Sequence, residues 1–205
     1  LRHNQACQTL LNNWEHPIME VMELGKGMDL NVGLDHVAAG RCMATHLIDQ
    51  GYRHIVYVGA RLSQDYRAGM RYEGHQEVLK AKGIEAPLVE LDTLGSLQAG
   101  AESLQQVLTL YPQTQAIHFA NDDLAAGALL AAHRQGLNVP GDIAIAGFNG
   151  LPLGQHVTPQ LTTILSPREE MGRLAAKELI RRLSGKNVYR RQHDVGFTLQ
   201  VGGST

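Results

Sequence analysis

The chain has 205 residues, 43% of them hydrophobic and 19% charged, with a formal net charge of −2. That length suits one large core or two modest ones, and the slightly acidic balance excludes a chain that coats a phosphate backbone on its own. The longest strongly apolar run, Leu124 to Ala132, is too short to span a bilayer, so no membrane partner is expected.

Strands and helices alternate almost from end to end. Pro17–Met22 and Asn31–Leu34 read as strands, after which Asp35 can cap a helix whose apolar positions are Ala39, Cys42, Met43 and Leu47 and which Gly51 closes. Ile55–Val58 is a short, continuous apolar strand. A polar helix from Arg67 to Lys82 ends at Gly83, and Leu88–Leu91 follows as a strand. Helix 97–110, strand 115–119, helix 122–135 and strand 143–148 continue the pattern. Leu161–Ile164 is a last strand before Ser166-Pro167-Arg168-Glu169, which reads as a capping box with Pro at the first helical position. Met171, Leu174, Ala175, Leu179, Ile180 and Leu183 form that helix's apolar stripe, and Gly185 stops it. Continuous rather than alternating apolar strands, interleaved with helices, predict an α/β fold with parallel sheets flanked by helices.

Cys7 and Cys42 form neither a CxxC pair nor a disulfide ladder, which predicts a reduced, cytoplasmic protein, and no signal-peptide pattern opens the chain. The Gly-dense stretches Gly25–Gly33 and Gly147–Gly154 lack the strand–GxGxxG–helix context of a dinucleotide site, and there is no phosphate-binding GxxxxGK[ST] loop, so no cofactor is expected. The ten histidines contain no HExxH or close metal pair, with His46 read as a packed residue. There is no GxSxG elbow, and neither cysteine has a matching His context. The chain is therefore read as a binding protein, not an enzyme.

Ligands in open parallel sheets bind beyond the carboxyl ends of the strands. There the sequence offers Glu23, Asp35, Arg61, Asn121 and Asn149, and Arg67 and Arg71 share a helical face at i, i+4. Amides and carboxylates bind hydroxyls, and a guanidinium pairs bidentately with a carboxylate, so the set suits a small polyhydroxy acid. Each residue has a plainer role open to it. Asn121 and Asp35 stand where helix caps are needed, Arg67 and Arg71 could be a solvated helix face, and Asn149 could be a turn residue in its glycine-rich stretch.

Four ordered blocks resemble the lactose/galactose-repressor family over essentially the whole chain. They are Val32-Gly33-Leu34-Asp35-His36-Val37-Ala38-Ala39-Gly40-Arg41 continuing through His46 to Ile55, Ala120-Asn121-Asp122-Asp123-Leu124-Ala125-Ala126-Gly127-Ala128, Val139 to Asn149, and Leu161-Thr162-Thr163-Ile164. Within the family the chain is similar to gluconate-operon repressors, through Val58-Gly59-Ala60-Arg61-Leu62, Ser166 to Gly172, and the closing Gly196-Phe197-Thr198-Leu199 and Gly202-Gly203-Ser204.

The resemblance implies a two-lobed periplasmic-binding-protein-like fold with the effector between lobes. The first lobe would hold residues 1–58 plus 164–187 and the second 59–163 plus 188–205. The family's opening βαβα portion and helix-turn-helix would lie outside this chain, leaving the first lobe incomplete and a sheet edge open. Arg71 matches the effector-gripping arginine, Asn121 the polar residue of the Asn-Asp motif, and Asp35 a cleft-proximal acid. Asn149 stands where many relatives carry Asp, a departure that fits an anionic ligand. The implied partners are a sugar-acid effector of gluconate or ketogluconate type, a second copy of the chain, and operator DNA read by the N-terminal domain. The apolar helix 122–135 would suit the subunit interface or, equally, a buried core. A periplasmic solute-binding protein for a sugar acid is the alternative, and an α/β enzyme acting on one is a third reading.

Overall fold

The computed structural model describes residues 3–25, 27–186 and 190–205. In chain order its elements are α1 (Gln5–Asn12), β1 (Met19–Val21), β2 (Leu30–Gly33), α2 (His36–Asp49), β3 (Ile55–Ala60), α3 (Tyr66–Ala81), β4 (Leu88–Leu91) and α4 (Leu97–Leu110). Then follow β5 (Ala116–Phe119), α5 (Asp122–Arg134), β6 (Ala144–Asn149), α6 (Pro152–His156), β7 (Thr162–Leu165), α7 (Arg168–Leu183), β8 (Gln192–Asp194) and β9 (Thr198–Gln200). The fold class read from the sequence is the one observed.

The elements divide into two units, Leu1–Asp35 with Ser166–Phe197, and His36–Leu165 with Thr198–Thr205. These bounds differ from the implied lobes. A break at 58/59 would cut β3, which pairs with β4 over Tyr57–Ala60 and with β5 over Ile55–Val58. A break at 163/164 would cut β7, which pairs with β6 over Thr162–Leu165. The implied change at 187/188 lies outside the described residues, and β8 beyond it pairs with β2 in the smaller unit.

The smaller unit has a three-stranded parallel sheet in the order β1-β2-β8. Its central strand is buried along its whole length, with Leu30 and Val32 as its large side chains. Helix α7 covers β1 and β2 through Met171, Ala175 and Glu178. These lie at i, i+4, i+7, and that face leaves Ile180 and Leu183 at 63% and 60% exposure, so the apolar stripe expected for this helix is only half used. The capping box is also not formed. Pro167 occupies the cap position, where its side chain can accept nothing, and no side-chain cap bond is made. Glu169 and Glu170 in the first turn supply the favourable charge instead.

The larger unit has a six-stranded sheet in the order β4-β3-β5-β6-β7-β9, parallel except where β9 returns beside β7. Its strands alternate between two helical layers. Val56, Val58, Ile117, Phe119 and Ile145 pack with Leu104, Leu124, Ala128 and Leu129 of α4 and α5. Tyr57 and Ala120 turn to the opposite face, against Ala68 and Tyr72 of α3. Helix α5 is a core helix, burying nine of its residues within this one chain. Helix α2 lies on α3 with backbones in contact. A Cβ added at Gly40 would overlap the Arg71 carbonyl oxygen, and one at Gly74 that of Val37, so only glycine permits this approach.

Candidate functional site

The strand order of the larger sheet changes direction at β3, whose neighbours are β4 on one side and β5 on the other. Helix α3 leaves β3 toward one face and α5 leaves β5 toward the other. Where connections diverge in this way a crevice opens at the carboxyl ends of the strands. Three of the seven candidate residues gather there.

Arg71, one turn inside α3, is only 4% exposed. Its guanidinium lies 4.0 Å from the centre of the Phe148 ring at the end of β6. Nη2 donates to the Ala120 carbonyl (2.9 Å) and Nη1 to Nδ1 of His36 (2.9 Å). A guanidinium can only donate, so His36 presents an unprotonated Nδ1 to it. The Tyr57 phenol lies alongside and gives its own proton to the Ala68 carbonyl. Burial pulls the Arg71 pKa down, Tyr57 and Asp65 oppose this, and the nearby Arg67 cation adds to it. Among the described residues no carboxylate stands within ion-pair distance of Arg71, and its Nε, buried, has no partner. A buried cation in this state is costly unless something else completes its shell.

Asn121 and Asn149 follow the two residues on which Arg71 rests. Asn121 is the N-cap of α5, its side chain accepting from the Leu124 amide at 2.9 Å, so its plainer role is realised. Asn149 ends β6, half-buried, with a φ of 123° that side chains bearing a Cβ rarely adopt. Arg67 is half-buried, its guanidinium 6.0 Å from the Tyr66 ring. Arg61 is exposed, and its Nε donates to the Asp92 carbonyl at 2.5 Å, away from this group. Glu23 and Asp35 belong to the smaller unit, both half-buried, Glu23 following β1 and Asp35 directly preceding α2.

Sequence reasoning missed five contributors. His36 and Phe148 bracket Arg71 and also meet each other, ring centres 5.5 Å apart. Asp122, fully buried at the start of α5, accepts from the Thr163 hydroxyl (2.6 Å) and the Leu151 amide (2.6 Å). Burial pushes its pKa up while those donors, with the Gly150 amide, pull it down. Beneath Tyr57, His75 and His118 join Nδ1 to Nδ1 at 3.1 Å, both fully buried. Burial pushes His75 down to about 3 and His118 well below the usual histidine range. The available signal was His118 standing inside an otherwise apolar strand. His46 is packed as expected, its Nε2 2.8 Å from the Thr205 hydroxyl oxygen.

A family model described as a periplasmic binding protein-like domain matches residues 44–205. The HTH-type transcriptional regulator GntR of Escherichia coli K12 is 40% identical over 189 residues, which is 92% of this chain and 56% of that protein. The chain thus spans about half the length of that relative. Among solved structures, the transcription regulator GntR from Chromobacterium violaceum superposes with a TM-score of 0.93 at 33% identity, covering 100% of this chain and 75% of that one. A LacI-family transcriptional regulator from Silicibacter pomeroyi gives 0.92 at 34% identity, covering 100% and 62%. These relatives are transcriptional regulators and not enzymes.

Proposed function

Since the chain belongs to the periplasmic-binding-protein-like domain family, among the LacI-type and GntR transcriptional regulators, we propose that it is the ligand-sensing core of a bacterial repressor that responds to a small sugar acid of gluconate or ketogluconate type. The observation that carries the acid is Arg71: a buried guanidinium without a carboxylate partner among the described residues, one nitrogen still unsatisfied. A carboxylate ligand would supply both the missing charge and the missing acceptor. Asn121 and Asn149 would serve its hydroxyls, and Arg67 would add to the positive potential. Glu23 and Asp35 are proposed as further hydroxyl acceptors.

The rest of the reading follows the relatives. The protein would work in the cytoplasm as a homodimer, and operator DNA would be read by an N-terminal domain outside these residues. Among the described residues no helix is long and apolar enough to cross a membrane. Effector binding would shift a population between conformations by no more than its differential affinity for them.

Calorimetry with gluconate, 2-ketogluconate and 6-phosphogluconate against glucose and ribose tests the ligand class. Binding of one or more acids, with neutral sugars silent, is the expected result. A preference for the neutral sugars would overturn it.

A further inference from the structure

Between the end of β6 and Pro152 at the start of α6 the chain reverses in a few residues, and the first of them, Asn149, holds a φ of 123°. A residue with a side chain stays in that region only if its surroundings hold it there, and such positions concentrate at ligand sites. The restraint comes from another element. Asp122, the first residue of α5, has no exposed surface, and one of its oxygens accepts from the Leu151 amide at 2.6 Å. The other accepts from the Thr163 hydroxyl on β7 at 2.6 Å, and Thr163 in turn takes a long 3.4 Å bond from the Gly150 amide. One buried carboxylate thus fastens the two residues after Asn149, directly and through Thr163. A capping residue was already present in Asn121, so Asp122 is not needed for that purpose.

We propose that Asp122 is a positioning residue for the effector site, acting through Asn149: by tying down residues 150 and 151 it keeps the Asn149 amide in the one orientation that serves a ligand hydroxyl. This rests on the reading of Asn149 as a ligand contact. It also gives the Asp of the Asn-Asp pair a task separate from its neighbour's. Asn121 caps the helix, and Asp122 sets the geometry of a loop contributed by a different strand.

The test compares Asp122→Asn, Thr163→Val, Asn149→Gly and the double variant Asp122→Asn/Asn149→Gly for gluconate affinity, with thermal unfolding as a check on folding. Asp122→Asn should weaken gluconate roughly tenfold and Thr163→Val about threefold, the scale of losing a buried acceptor and one hydrogen bond. If Asp122 acts through Asn149, the double variant binds no worse than Asn149→Gly alone. A double-variant loss equal to the product of the single losses would overturn the proposal, as would an unchanged affinity in Asp122→Asn. If Asp122→Asn does not fold, Thr163→Val carries the same comparison with Asn149→Gly. Amide exchange of Leu151 in the ligand-free protein provides a second readout, expected roughly tenfold faster in either latch variant. If the unmutated protein binds no sugar acid, the ligand reading fails, and the exchange rate at Leu151 still decides whether the latch exists: unchanged protection removes it.

Discussion

On one face of the six-stranded sheet, α4 and α5 cover Val56, Val58, Ile117, Phe119 and Ile145, all of them buried and apolar. On the other, α2 and α3 cover Tyr57, His118 and Phe148 with His36, Arg71 and His75, all nearly as buried yet rich in groups that water would solvate better. The same strands contribute alternate residues to both. The first face gains stability from area removed from water without polar cost. The second sacrifices part of that gain to hold a cation and three imidazoles in fixed places, a local breach of packing rules that marks functional sites.

The largest effect expected on the apolar face is from Phe119→Ala, which should remove about 3–5 kcal/mol of stability by leaving a cavity. Urea unfolding would measure it, and aldonate affinity should be unchanged while the protein stays folded. A loss of affinity at full folding would break the separation between the faces. Next, Arg71→Met should reverse that pattern. Aldonate binding should weaken by about 1.5–3 kcal/mol, the scale of a charge-assisted hydrogen bond, while the unfolding midpoint holds or rises, because a buried cation without a carboxylate partner is gone. Calorimetry and urea unfolding on the same samples would check both, and a destabilised variant with intact affinity would show Arg71 to be structural only.

The smallest effect, read per pH unit, concerns His75 and His118. The folded state holds both rings neutral, with His75 down at about 3 against a usual value of 6.5. The unfolded chain therefore binds more protons between those limits, so stability falls as pH drops through 6.5 and continues to fall toward about 3. Each ring contributes a slope of up to about 1.4 kcal/mol per pH unit. Urea midpoints at pH 7, 6 and 5 should converge in the double variant His75→Phe/His118→Phe, whereas an undiminished slope would assign the acid sensitivity elsewhere.

Much of this architecture could be read from local pattern. Most of strand Ile55–Ala60 was visible as the apolar run Ile55–Val58, and helix Tyr66–Ala81, read as Arg67–Lys82, in its closing Gly83, because both signals lie within a few neighbouring residues. The spacing of Arg67 and Arg71 placed both on one side of that helix, but nothing local says that Arg71 is buried. That depends on Ala120 and Phe148, 49 and 77 positions away, which strand pairing brings beside it. The sheet to which β3 belongs was hidden for the same reason, since hydrogen bonding to β4 and β5 decides it. Asn121 was legible as a cap because its partner Leu124 is three residues on, while Asp122, whose partners are 29 and 41 residues distant, was not.

Gly40 and Gly74 let α2 and α3 meet carbonyl to Cα, without an intervening cushion of side chains. A side chain between two helices can change rotamer and absorb a nudge. A peptide group has no such freedom. Any displacement of Arg71 on α3 is therefore handed to α2 undiminished, and the pair answers as a single stiff plate.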